Sequence, residues 1–148
     1  MMLFLQFLFA FGATAGFTLI FNIPHRHIFF AGFSGACGWV LFQYLLLIGQ
    51  STIVSCFLAS CLIAALSELF ARIFKEASLI FIIPGILPLV PGAGMYRTML
   101  ALLKEDLTAT GEIGTETLLM TGAIAVAIII VSSFVRAITA LLTSGRLQ

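Results

Sequence analysis

The sequence predicts an all-α polytopic membrane protein with five transmembrane helices, the fourth of them broken. Three observations carry this. The 148 residues are 61% hydrophobic and only 9% charged, with a mean hydropathy of +1.21. A soluble domain of that size cannot bury so much apolar surface. The apolar residues fall into long runs separated by short polar turns. Finally, three of the four prolines, Pro84, Pro88 and Pro91, crowd into one of those runs.

The first span covers about residues 2–21. Gln6 is its only amide, and Gly12 and Gly16 are spaced to permit close helix contact. Ala13-Thr14-Ala15 resembles a signal-peptidase site, but no Lys or Arg precedes the run and apolar sequence continues to Ile23, so we expect a retained helix. Asn22 to His27 reads as a polar turn closed by Pro24, with both histidines exposed in a loop and a proton relay or metal site as the alternative. The second span, about 28–48, opens on the small-residue run Ala31 to Gly38, again suited to close packing. The third, about 51–71, follows a very short turn at Gly49-Gln50, so these two spans form an antiparallel hairpin. Arg72 to Glu76 is a charged connection. The broken span covers 77–103, and 104–116 reads as a polar loop with room for a short surface helix. The fifth span covers about 117–135, before a short tail. The whole chain, 1–148, reads as a single transmembrane domain.

Lys and Arg collect on the cytoplasmic side of membrane proteins. With the N-terminus outside and five crossings, Arg26, Arg72, Lys75, Arg136 and Arg146 fall inside, and Lys104 outside. As a re-entrant hairpin, segment 77–103 would move Arg136 and Arg146 outside and Lys104 inside, a weaker asymmetry. The charge pattern favours a crossing, with the C-terminus cytoplasmic. Length agrees, since the helical ends of 77–103 supply roughly 24 Å at about 1.5 Å per residue. The extended residues between them cover the remainder of a ~30 Å core.

The break itself spans Pro84 to Thr98. A proline lacks an N–H and disfavours helix beside it, and the residue before it is pushed towards extended geometry. The expected path is a helix that stops near Pro84 and restarts near Gly94. In hydrocarbon, such a break survives only when covered by protein or lining a wet cavity, and broken helices form the substrate sites of many transporters. The restarting helix offers N–H groups and a dipole that favours negative charge. Arg97 adds a full positive charge, and Tyr96 and Thr98 add hydroxyls. Carbonyls released around Ile80, Pro84 and Leu87 are acceptors for an ammonium or a cation. The candidate substrate-binding residues are therefore Pro88, Pro91, Gly92, Gly94, Tyr96, Arg97 and Thr98, and the ligand a small carboxylate that can also carry an amino group. The competing reading makes Arg97 a structural anchor paired with an acid or carbonyl elsewhere.

Glu68 is the one acid well inside a span. Its place four residues before Arg72 suits an intrahelical ion pair, with a coupling carboxylate as the alternative. Trp39 and Tyr44 are better suited to lipid or neighbouring helices than to substrate. Cys37, Cys56 and Cys61 form no CxxC pair and read as packing residues. A net charge of +1 without a basic stripe argues against nucleic acid. No Ser/His/Asp set, HExxH or phosphate-binding loop appears, so no enzyme, metal or cofactor is expected. Transporters built on broken helices have two related halves. The Pro/Gly cluster occurs once here and five spans cannot divide evenly, so the second half is expected from another chain.

Phe21-Asn22-Ile23-Pro24 closing the first span, the glycine-rich start of the second, and above all the stretch from Pro88 to Arg97, with its Pro-x-x-Pro-Gly-x-x-x-Tyr element from Pro88 to Tyr96, resemble the threonine/serine exporter family, specifically its small, YjjB-like component. The likeness covers essentially the whole chain. It implies a bacterial plasma-membrane exporter driven by an ion gradient, working with a larger YjjP-like membrane subunit that fused members carry in the same chain. Substrates implied by the resemblance are threonine and serine, or a dicarboxylate such as succinate. Arg97 and Thr98 are not diagnostic of the family. A non-transporting subunit that stabilises or places a partner is the alternative, in which the Pro/Gly break is a packing kink.

Overall fold

The computed structural model describes residues 2–144, with side chains to residue 139. Its helices are α1 (Met2–Ile20), α2 (His25–Leu47), α3 (Thr52–Phe74), α4 (Leu79–Ile86), a 3-10 turn at Leu87–Leu89, α5 (Gly92–Leu103) and α6 (Leu107–Ser144). Helices α1, α2, α3 and α6 are each long and apolar enough to cross a bilayer, and α4 with α5 makes a fifth candidate bent by 51°. The chain is an all-helical, multi-pass membrane protein. Arg146 lies outside the described residues.

Four connections end in the same way. Asn22, Gly49, Lys75 and Glu105 all adopt left-handed backbone, at φ 54°, 84°, 56° and 58°. The residue after each donates its N–H to the carbonyl five positions back: Ile23 to Thr18, Gln50 to Leu45, Glu76 to Ala71 and Asp106 to Ala101, all at 2.9–3.0 Å. This six-to-one bond closes the end of a helix whose last carbonyls lack partners. Turns this tight leave consecutive helices little freedom but to pack side by side.

Small residues on α2 set how closely they pack. Gly32 meets the Phe11 ring of α1, Gly35 lies between Thr14 of α1 and the Gly85 carbonyl of α4, and Gly38 lies under Ile63 of α3. The expected packing role of the run from Ala31 to Gly38 is thus realised. That of Gly12 and Gly16 is not, because no described atom of another helix lies within 4 Å of where a Cβ would stand on either. Helix α1 instead presents Ala10, Thr14 and Thr18 inward, and the two glycines sit off that buried stripe.

Helix α3 runs parallel to α6. Ile124 clusters with Cys56, Ala59 and Ile63 near the start of α3, while Arg72 near its end donates to the Val135 carbonyl at 2.8 Å. Arg26, which pairs with Glu76 at 2.5 Å, Arg72, Lys75 and Arg136 therefore share one end of the bundle. At the other end the first turns of α6 continue past the start of α3, and α5 packs along this overhang, Thr98 against Gly114 and Gly94 against Thr117.

Two expectations are corrected here. Residues 104–116 are not a loop: the turn is confined to Lys104–Asp106 and α6 begins at Leu107. Asp106 accepts from the Ala109 N–H at 3.0 Å, a side-chain N-cap that starts the helix where the polar composition suggested none. The glycines that suggested a loop permit close approach instead. A Cβ at Gly114 would meet the Thr98 methyl at 3.2 Å, and one at Gly94 would collide with the Thr117 hydroxyl. The histidines are not both exposed in a turn either, because α2 begins at His25 and His27 is fully buried.

A methyl group at Gly35 would stand 2.5 Å from the Thr14 hydroxyl and 3.1 Å from the Gly85 carbonyl, a backbone atom that cannot swing aside. Gly35→Ala is expected to destabilise the bundle by about 1–3 kcal/mol through overpacking, whereas Gly12→Ala should be neutral. Thermal unfolding of the two variants in detergent checks this, and equal melting temperatures would refute the role given to Gly35.

Candidate functional site

The break lies later in the chain than the prolines alone suggest. Helix α4 runs through Pro84 as far as Ile86 before tightening into the 3-10 turn. Pro84 removes one N–H from the ladder, but the turn before it is held by Ile80, Phe81 and Ile82 donating to Ala77 and Ser78 carbonyls at 3.0–3.1 Å. The chain leaves helical geometry at Val90 (φ −60°, ψ 126°) and Pro91 (φ −77°, ψ 55°). Val90 precedes proline and takes the extended conformation that such residues prefer. Gly92 donates to the Val90 carbonyl at 2.8 Å and Met95 to the Pro91 carbonyl at 3.1 Å, and α5 restarts two residues before the expected Gly94. Of the carbonyls expected to be released, that of Leu87 accepts from the Val90 N–H at 3.2 Å.

The candidate residues separate into three surroundings. Pro88 faces α1 and α2, lining a cavity of about 390 Å³ with Gln6, Phe9, Ala10, Ala13 and Trp39. The buried Oε1 of Gln6 has no hydrogen-bond partner among the described residues. Thr98 points towards α6, where a second cavity of about 350 Å³ is bordered by Met95, Met99, Leu102, Gly114 and Thr117. Its hydroxyl donates to the Gly94 carbonyl at 2.8 Å, so it is occupied within its own helix. Gly92, Tyr96 and Arg97 lie on the exposed side of α5. Arg97 makes no hydrogen bond or ion pair among the described residues, and no acid or carbonyl anchors it. Pro91 is the hinge between these surroundings.

Glu68 stands apart, on the far side of the bundle between α3 and α6. It is 8% exposed, and its Oε1 has no hydrogen-bond partner among the described residues. The ion pair expected with Arg72 does not appear among the ion pairs of the described residues. Arg72 reaches instead across to α6, donating to the Val135 carbonyl and to the Thr139 hydroxyl. An anchored backbone carbonyl and hydroxyl on the neighbouring helix satisfy two of its donors in a fixed geometry.

One polar group escaped the sequence reading. His27 accepts from Arg26 Nε at 2.9 Å through its Nε2, which lies 3.5 Å from Glu76 Oε1, and its buried Nδ1 has no partner among the described residues. The Phe74 and Phe81 rings meet it edge-on, with centroids 5.1 and 5.4 Å away. The signal for its burial was available. Ala31, Ser34, Gly35 and Gly38 repeat at helical spacing along the inner face of α2, and one turn back from Ala31 that stripe reaches His27.

Comparison with known proteins agrees with the apolar architecture. Residues 6–134 match the family described as Threonine/Serine exporter, ThrE. An uncharacterized protein of Haemophilus influenzae is 28% identical over 97 residues, which is 66% of this chain and 33% of that protein. The chain thus matches about a third of the length of this curated relative. No solved structure is similar. With the family match extending from α1 nearly to the end of the described part of α6, the chain belongs to the threonine/serine exporter family.

Proposed function

We propose that this chain is one membrane subunit of a secondary exporter for small carboxylate metabolites, either threonine and serine or a dicarboxylate such as succinate. It works with a larger YjjP-like membrane subunit in the bacterial inner membrane. The observation that carries this is Arg97: an unpaired cation about two turns past a 51° break, in a chain of an exporter family. A charge near the apolar part of a membrane protein faces a polar cavity, a partner or water. The first turn of α5 brings the amides of Ala93 and Gly94, which have no acceptor within the helix, to the same end. Gly92, Tyr96 and Arg97 form the substrate face on the exposed side of α5, with Pro91 as its hinge, and the partner subunit covers it; Pro88, Gly94 and Thr98, turned towards neighbouring helices, shape the break behind it. The matched relative is a longer chain, which fits an arrangement in which both parts are fused.

The N-terminus is outside and the C-terminus cytoplasmic in this reading. Support comes from the gathering of Arg26, Arg72, Lys75 and Arg136 at one bundle end, and from the parallel course of α3 and α6, which is what a crossing of 77–103 requires. A purely structural subunit would leave Arg97 without a task.

Two experiments test the proposal. Co-expressed with its partner, Arg97→Ala is expected to reduce efflux of threonine or succinate roughly tenfold or more, the loss of one charge-assisted contact. Pro91→Ala is expected to lower it as well by straightening the hinge, with both variants inserted normally. Undiminished efflux from well-inserted Arg97→Ala removes the site. For orientation, the three cysteines are replaced by serine and single cysteines introduced. A membrane-impermeant maleimide should label Lys104→Cys in intact cells, and Lys75→Cys only after permeabilisation. The opposite pattern reverses the topology.

A further inference from the structure

We infer that the seam between α3 and α6 holds a second ligand station, in which Glu68 receives an ammonium and Arg72 the anionic group beside it. This rests on the exporter reading above and names the ligand class it favours: a small zwitterion over a dicarboxylate.

The station is a cavity of about 230 Å³ lined by Ala65, Glu68, Leu69, Arg72, Val135 and Ile138. That is smaller than the ~300–1,000 Å³ that takes a drug-sized ligand. Its floor carries the buried Oε1 of Glu68, for which no hydrogen-bond or ion-pair partner exists among the described residues. A buried acid without a partner is unfavourable unless a complementary group joins it. The obvious partner is one helical turn away, since Glu followed by Arg four residues later is the favourable order for an intrahelical pair. Arg72 is nevertheless drawn off to α6, donating through Nη2 to the Val135 carbonyl at 2.8 Å and to the Thr139 hydroxyl. Its Nε and Nη1 donors keep no acceptor among the described residues. Acid and base thus border one slot without meeting.

Charge decides what fits between them. The Cβ atoms of residues four apart on a helix are about 5–6 Å apart, and an α-amino acid carries its ammonium and carboxylate on one carbon. Such a solute satisfies Glu68 and Arg72 together. A dicarboxylate satisfies Arg72 but sets a second negative charge towards Glu68, and a simple amine leaves Arg72 with nothing to bind. The slot lies at the basic end of the bundle, away from Arg97, so it is a separate stopping point.

The test uses the full chain reconstituted with its partner in liposomes. Binding of radiolabelled L-threonine is competed by unlabelled L-threonine, by 2,3-dihydroxybutyrate, in which a hydroxyl replaces the ammonium, and by succinate. In the unaltered protein, threonine should compete roughly tenfold or more better than the other two, the usual worth of a charge-assisted contact. Glu68→Gln, nearly isosteric, should close that gap to about twofold. A gap that survives in Glu68→Gln overturns the inference and leaves the exporter reading standing. So does a variant that loses gradient-driven transport with exchange and the gap intact, which assigns Glu68 to a proton or metal ion. Unaltered protein that binds neither threonine nor succinate removes both readings. If Glu68→Gln does not insert, the unaltered protein still decides, because equal competition by threonine and dihydroxybutyrate rules the ammonium contact out.

Discussion

Helix α4 is only eight residues long, too short to be stable alone, and it is held by the near-contact of Gly35 with Gly85. The Gly85 carbonyl would come within 3.1 Å of any Cβ at Gly35, and a Cβ at Gly85 would stand 3.0 Å from both Ile63 and the Ser34 hydroxyl. Two backbones meet with no side chain between them. In hydrocarbon, where apolar surfaces gain little by associating, helices hold through such close contact and through interhelical polar groups. With α4 seated on α2 and α3, the 3-10 turn and the Val90-Pro91 hinge can leave helical geometry under the cover of neighbouring helices. The bend depends on that seat.

The buried hydroxyls show how a membrane bundle disposes of polar side chains. Thr14, Ser34 and Thr117, and the half-buried Thr98, each donate to a carbonyl three or four residues earlier in their own helix, at 2.7–2.9 Å. These hydroxyls are thereby silent and serve as small, shape-filling residues. Among the described residues, Gln6, His27 and Glu68 each keep a buried atom without a hydrogen-bond partner, as do the hydroxyls of Ser55, Ser60 and Ser67 on α3. The atoms left over are where chemistry remains available, and they lie in separate parts of the molecule.

Much of the architecture was readable from residues alone, because its signals are local. Apolar runs bounded by Asn22, Gly49 and Lys75 gave three helices to within a few residues, and the proline cluster gave a bend. What was not readable depends on packing between distant residues. Polarity at 104–116 suggested a loop because composition cannot reveal that Gly114 is there to admit Thr98. Three prolines suggested a break at the first, whereas neighbouring helices hold α4 together through Pro84 and the chain yields at Pro91. Spacing offered Arg72 to Glu68, but only the parallel course of α6 shows the Val135 carbonyl outbidding the acid. The candidate residues from Pro88 to Thr98 are adjacent in sequence, yet a helix turns neighbours to different faces, so Arg97 and Thr98 face different surroundings.

The length of α6 has a mechanical consequence. Its 38 residues form a single rod, whose far part carries α5 beyond the other helices. A rod of that kind acts as a lever: tilting its buried part by about 10° displaces a tip ~25 Å away by roughly 4 Å. Because Pro91 joins α5 to α4 without helical hydrogen bonds across the hinge, such a swing need not drag α4 from its seat. Movement at the basic end of the bundle, where Arg72 grips α6, would therefore be felt most strongly at the opposite end, around the acidic turn at Glu105 and Asp106.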